Sequence, residues 1–152
     1  MGARAQRDQN QAWANHEGEH LRICVVCGRR LVREILSRAL NRELEAETDA
    51  FACCEDALAS DLDYDVFIVY DYFGEARMNG PQGAKRIRFM KPKAYVLGVT
   101  HNPGFDKQFV QVGADTAIVV GERSVKRIVR VVRQRIVTTL YPEAARALDQ
   151  EE

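Results

Sequence analysis

Asp71 is the residue best placed to do chemistry. It closes Val66-Phe67-Ile68-Val69-Tyr70, an apolar and aromatic run that Asp65 opens. A run of this kind reads as a strand buried on both faces, central in a parallel sheet. In open α/β sheets ligands and reacting groups gather at the carboxyl ends of the strands, which is where Asp71 falls. Thr100 ends a second such run, Ala94-Tyr95-Val96-Leu97-Gly98-Val99, and His101 follows it. A carboxylate, a hydroxyl and an imidazole are acid–base groups, yet the sequence pairs no nucleophile with His101. The plainer readings stand beside these: Asp71 as a strand-end acid facing solvent, Thr100 as a hydroxyl bonded locally.

Four cysteines, Cys24, Cys27, Cys53 and Cys54, invite a metal or redox reading. Cys24 and Cys27 lie in Leu21-Arg22-Ile23-Cys24-Val25-Val26-Cys27, which reads as a strand. Side chains an odd number apart on a strand point to opposite faces, so these two cannot share a metal. No helix N-terminus is offered to the first of them, as a redox dithiol needs. Adjacent Cys53 and Cys54 chelate poorly. All four read most simply as small buried hydrophobes in a reducing compartment. Cys27 keeps a second reading, because a thiol near Arg29 and Arg30 could titrate low and sense oxidants. His16 and His20 have the i, i+4 spacing of metal ligands only on a helix, which is weak evidence.

The elements that must position these groups follow from periodicity. Strands are expected at 21–27, 48–53, 65–70, 94–99 and 116–120, and helices at about 30–42, 55–61, 81–90, 103–112 and 122–139. The first helix is expected to bury Leu31, Ile35, Leu36, Ala39 and Leu40, the third to turn Ile87 and Phe89 partly inward. The last would bury Val125, Ile128, Val129, Val132 and Ile136, leaving Lys126, Arg127, Arg130 and Arg133 outside. Pro103 suits the first turn of the fourth helix, and Gly113 its end. Five β-then-α units imply an α/β fold: a five-stranded parallel sheet, doubly wound, with right-handed crossovers and helices on both faces. Residues 21–139 are expected as one domain, 1–20 as a flexible arm with Trp13 its only large apolar residue, and 140–152 as a short tail.

Composition bounds the function. The chain has 152 residues, 46% apolar and 29% charged, with 22 bases against 22 acids. No apolar run is long enough to span a membrane, and the N-terminus lacks the apolar segment of a secretory signal. The expected location is therefore the cytoplasm. Neutrality gives no global reason to expect nucleic acid, yet the charges are segregated. Residues 41–75 carry eleven acids against one base, and residues 76–135 carry thirteen bases against three acids. Opposed surfaces of this kind favour oriented association with a partner or with another copy.

From about residue 20 to 138 the chain resembles the receiver domain of two-component response regulators. Arg22-Ile23-Cys24-Val25-Val26-Cys27-Gly28-Arg29-Arg30-Leu31-Val32-Arg33-Glu34-Ile35-Leu36 is similar to that family's first strand and helix. Asp56-Ala57-Leu58 stands where Glu-Ala-Leu is usual. Asp71 falls on the phosphoacceptor, with Gly80 nine residues on resembling the glycine that opens the third helix. Thr100 falls on the switch Ser/Thr, and Gly113-Ala114-Asp115 matches the turn before the fifth strand. The resemblance implies a flavodoxin-like sheet of order 2-1-3-4-5.

The departures bear on function. Where receivers place two acids to hold Mg²⁺, this chain has Cys27 and Gly28; where they place a Lys followed by Pro, it has Val120 and Gly121. The aromatic switch position is Ala117. A thiol and a glycine bring no hard oxygen ligands, so no cofactor is expected and Mg²⁺ binding should be weak or absent. Phosphoryl transfer depends on positioning and on metal and Lys charge, both of which the resemblance implies are missing. The expectation is a non-enzymatic pseudo-receiver that signals by protein–protein contact, independently of phosphorylation. Its vestigial pocket would hold Cys27, Gly28, Thr100 and Val120 around Asp71. The basic face of the last helix lacks interleaved aromatics, which favours a protein partner, a histidine kinase or an effector, over nucleic acid. A homodimer through the fourth helix, fifth strand and last helix is the associated expectation. Two alternatives stay open: a response regulator phosphorylated at Asp71 with a degenerate metal site that draws on Glu75, and a small-ligand or redox sensor at Cys27.

Overall fold

The computed structural model describes residues 21–60, 62–121 and 124–140. Five strands form one sheet: β1 (Arg22–Val26), β2 (Glu47–Phe51), β3 (Val66–Tyr70), β4 (Tyr95–Thr100) and β5 (Thr116–Val119). Their order is β2-β1-β3-β4-β5 and every pairing is parallel. The helices are α1 (Arg30–Leu44), α2 (Cys54–Leu58), α3 (Gly80–Met90), α4 (Phe105–Gln111) and α5 (Ser124–Leu140). This is the doubly wound flavodoxin-like order expected from the sequence. The arm at 1–20, with Trp13, His16 and His20, and the tail beyond residue 140 lie outside the described residues.

Two cores flank the sheet. On one side Leu36, Leu40 and Leu44 of α1 and Ile128, Val132 and Ile136 of α5 meet Ile23, Val25, Ile68 and Leu97. On the other, Ala57 of α2, Ala84 and Ile87 of α3 and Phe109 of α4 meet Val26, Phe67, Val69 and Val96. β3 and β4 are buried throughout because each is covered on both faces. Complete burial of an aliphatic side chain here contributes about 1.5–3 kcal/mol, so the two central strands anchor the fold.

The helix faces are narrower than the periodicity suggests. Leu31 and Ile35 are exposed at 67% and 48%, and Phe89 at 87%. α1 rests on the sheet through Leu36, Ala39, Leu40 and Leu44, which rotates Leu31 and Ile35 outward. Ile87 is buried, and Phe89, two residues further on, faces away from the sheet. The fourth helix starts at Phe105: Pro103 stands outside it, with Gly104 at φ +105° entering the first turn. Gly113 does end that helix, at φ +113°, with its N–H donating to the Val110 carbonyl at 3.1 Å.

One arginine ties three segments together. Arg88 donates to the carbonyls of Gly113, Pro92 and Ala94, each at 2.8 Å, and pairs with Asp115. Asp115 in turn accepts from the N–H of Val96 at 2.8 Å. α3, β4 and the turn before β5 are thereby held in one network.

Candidate functional site at the end of β3

Register brings Asp71 and Thr100 together. Val69 lies opposite Gly98 and Tyr70 opposite Val99, so the next step sets Asp71 beside Thr100. Side chains alternate along the strands, and both residues fall on the face covered by α3 and α4. The Thr100 hydroxyl donates to Asp71 Oδ2 at 2.5 Å. Asp71 is 9% exposed and Thr100 is fully buried. Asn102 adds a longer amide contact to the same oxygen at 3.5 Å, and its backbone N–H donates to the Thr100 hydroxyl at 3.0 Å. Asp71 is thus an acceptor inside the protein rather than an acid facing solvent.

α3 begins against this residue. The Gly80 N–H donates to the Asp71 carbonyl at 2.7 Å. A Cβ on Gly80 would overlap the Tyr70 carbonyl oxygen and come within 2.6 Å of the Phe109 ring, so only glycine lets the helix start so near. A capping box holds that start: Asn79 Oδ1 accepts from the Gln82 N–H and Gln82 Oε1 from the Asn79 N–H, both at 2.9 Å.

The sheet divides the other residues expected in the pocket. Cys27 and Val120 sit in the core beneath α1 and α5, together with Tyr70, on the face opposite Asp71 and Thr100. Their strand parity decides this, since Cys27 continues Ile23 and Val25 while Val120 continues Ile118. Gly28 remains at the sheet end. Phe73, from the loop after β3, packs against both cores, its ring carbon 3.7 Å from where a Gly28 Cβ would stand. That aromatic side chain covers the sheet end beside Asp71. His101 is exposed and makes no contact with the Asp71 cluster.

The cysteine readings separate cleanly. Cys24 and Cys27 belong to opposite cores, as their spacing requires. All four cysteines are free and buried. Burial raises the Cys27 thiol pKa, and the Asp71 charge adds to it; the charges of Arg33 and Arg29 act the other way without prevailing. The alternative of a low-titrating thiol finds no support, because desolvation outweighs the arginines, and the buried-hydrophobe reading of Cys27 fits. Arg33 uses one guanidinium nitrogen on the Cys27 carbonyl, at 2.8 Å.

The donor set does not fit Mg²⁺. That ion needs several hard oxygens in octahedral array, and here the one carboxylate is already bonded to Thr100 while Cys27 packs in the core on the opposite face of the sheet. Among the described residues no three acids, histidines or cysteines converge to hold a metal. No cation pairs with Asp71 among those residues either.

Sequence reasoning missed Phe73, Asn102 and the hydroxyl of Tyr70, which is buried with no hydrogen-bond partner among the described residues. Asn102 was signalled by Asn102-Pro103-Gly104, a turn sequence whose asparagine bonds nearby backbone and side chains. Phe73 and Tyr70 had no local signal. On the last helix, Lys126 and Arg130 are exposed as expected. Arg127 is exposed too and donates to the Val119 carbonyl of β5, while half-buried Arg133 donates to the carbonyl and carboxylate of Glu43.

No protein-family model matches the chain, and no curated protein sequence matches it. Solved structures do. A CheY-like receiver domain protein from Methanospirillum hungatei superposes with a TM-score of 0.68 at 15% identity, over 76% of this chain and 93% of that one. The response regulator TrrA of Thermotoga maritima, in complex with Mg²⁺ and BeF, gives 0.65 at 24% identity, over 74% and 97%. An orphan response regulator of H. pylori gives 0.64 at 22% identity, over 76% and 96%. With the sheet order and the crossovers in hand, these likenesses establish one thing: the chain has the fold of response-regulator receiver domains.

Proposed function

We propose that this chain is a pseudo-receiver: a signalling domain of the two-component kind that acts by protein–protein contact without phosphorylation of Asp71. The observation that carries the reading is the state of Asp71. Its carboxylate accepts the Thr100 hydroxyl, and Cys27, Gly28 and Val120 stand where the family resemblance expects two acids and a lysine. A phosphoryl acceptor needs an open approach and fixed positive charge around the transferring group, and neither is provided here. Mg²⁺ binds weakly or not at all in this reading, for want of ligands. The partner is a protein of a signalling pathway, a kinase or an effector, and its docking face is α4, β5 and the exposed cations Lys126 and Arg130 of α5.

Incubation with acetyl phosphate and Mg²⁺, followed by intact-mass measurement, tests the reading. The expected result is an unchanged mass. A stable adduct of one phosphoryl group, absent from Asp71→Asn, would overturn it.

A further inference from the structure

The outward stripe of α3 combines bases with bare apolar side chains. Lys85, Arg86 and Phe89 lie at helical spacing on the solvent side, with Met90 and Lys93 beyond them. Phe89 is 87% exposed and Met90 52%. Among the described residues no carboxylate pairs with Lys85, Arg86 or Lys93. Exposed apolar side chains grouped together and rimmed by charge, as Phe89 and Met90 are, mark contact surfaces.

Its complement lies next door. Lys91, at the end of α3, pairs with Asp63 in the segment that leads into β3. The neighbours of that ion pair are both apolar and both exposed, Met90 on one side and Leu62, at 42%, on the other. The run from α2 to β3 presents Asp56, Asp63 and Asp65 as exposed acids. A basic-apolar half and an acidic-apolar half therefore meet across one ion pair.

A surface built in this way is complementary to itself after a two-fold rotation, since each half then meets the opposite half and the contact is made twice. We propose that the chain forms a two-fold homodimer through this seam. Lys85, Arg86 and Phe89 of one copy lie against Leu62, Asp63 and Asp65 of the other. The inference stands apart from the proposed function and uses a different face. The favoured occupant is a second copy because the matching charge and apolar surface are present in this chain. Phosphate-bearing RNA would instead meet the acids of the same patch.

Sedimentation equilibrium of the full chain over rising concentration tests the proposal, with far-UV circular dichroism confirming each variant's fold. The expected result is a reversible monomer–dimer equilibrium whose dissociation constant rises about tenfold or more in about 0.5 M NaCl, where exposed charges are screened. Phe89→Asp and Arg86→Glu should each be monomeric, while Val110→Asp and Arg130→Glu dimerise as the parent does. Should Phe89→Asp fail to fold, Arg86→Glu decides alone. A monomer at every concentration overturns the proposal. So does a dimer that survives Arg86→Glu, one lost in Arg130→Glu, or one displaced by poly-uridine.

Discussion

Asp71 and Thr100 form a buried acceptor–donor pair, and removing either member leaves the other without its closest partner. Asp71→Ala is expected to destabilise the chain by about 1–3 kcal/mol, because the buried Thr100 hydroxyl then keeps only the Asn102 carbonyl, at 3.4 Å, as an acceptor, measured by urea unfolding. Asp71→Asn keeps an acceptor oxygen on Thr100 and should cost less. A solvent-facing acid would show neither loss, so equal stability of Asp71→Ala and the parent would contradict the geometry. The thiols give a second residue-scale test. Cys27 is buried and its thiol titrates high, so in the native state it should react with a disulfide reagent no faster than Cys53 or Cys54. Rapid, selective labelling of Cys27 would restore the oxidant-sensing reading.

At the scale of elements, close approach is secured by glycine and one arginine. Gly98 of β4 faces Phe109 of α4, whose ring carbons lie 2.6 and 2.7 Å from where a Cβ would stand. Gly98→Ala must push that ring, and α4 with it, off the sheet, at about 1–3 kcal/mol by analogy with overpacked cores. Arg88→Ala removes the clamp between α3, β4 and the turn at Gly113, taking the arginine from three carbonyls and leaving Asp115 with only the Val96 N–H. A loss of similar size is expected, accompanied by faster amide exchange in α4. Because the Asp71–Thr100–Asn102 hydrogen bonds lead directly into α4, variants at either site should disturb the same face.

Charge and burial act on the whole molecule. The segregation of acids into 41–75 and bases into 76–135 is turned by the fold into neighbouring patches rather than opposite poles, since Lys91 meets Asp63. Stability should also depend on alkaline pH with a definite sign. Burial raises the Cys54 thiol from 9.0 to about 12, and Cys24 and Cys27 are raised as well. The unfolded thiols ionise first, so stability is full below about pH 9 and falls as pH rises toward the folded values. Tyr64, raised to about 12 chiefly by burial, adds to the same trend at still higher pH. Thermal unfolding followed between pH 7 and pH 11 should show a melting temperature that is flat and then declines.

The five strands, their parallel order and the positions of Asp71 and Thr100 at strand ends were legible in the chain itself. Continuous apolar runs and Gly113 are local signals, and a strand covered on both faces has one compositional form. The division of Cys24 from Cys27 was equally legible, because the period of a strand is fixed by backbone geometry. Other features belong to the tertiary structure alone. Which stripe of α1 faces inward depends on how the helix is rotated on the sheet, and that placed Leu31 and Ile35 in solvent. Cys27 and Val120 were grouped with Asp71 by their places along the chain, yet strand parity put the sheet between them. Phe73 reached the sheet end through a loop whose course no periodicity describes. The hydrogen bond from Thr100 to Asp71 depended on the register of β3 with β4, which only the packed sheet sets. Sequence determined where the acid stands; the assembled sheet decided that its partner is a hydroxyl of the same chain.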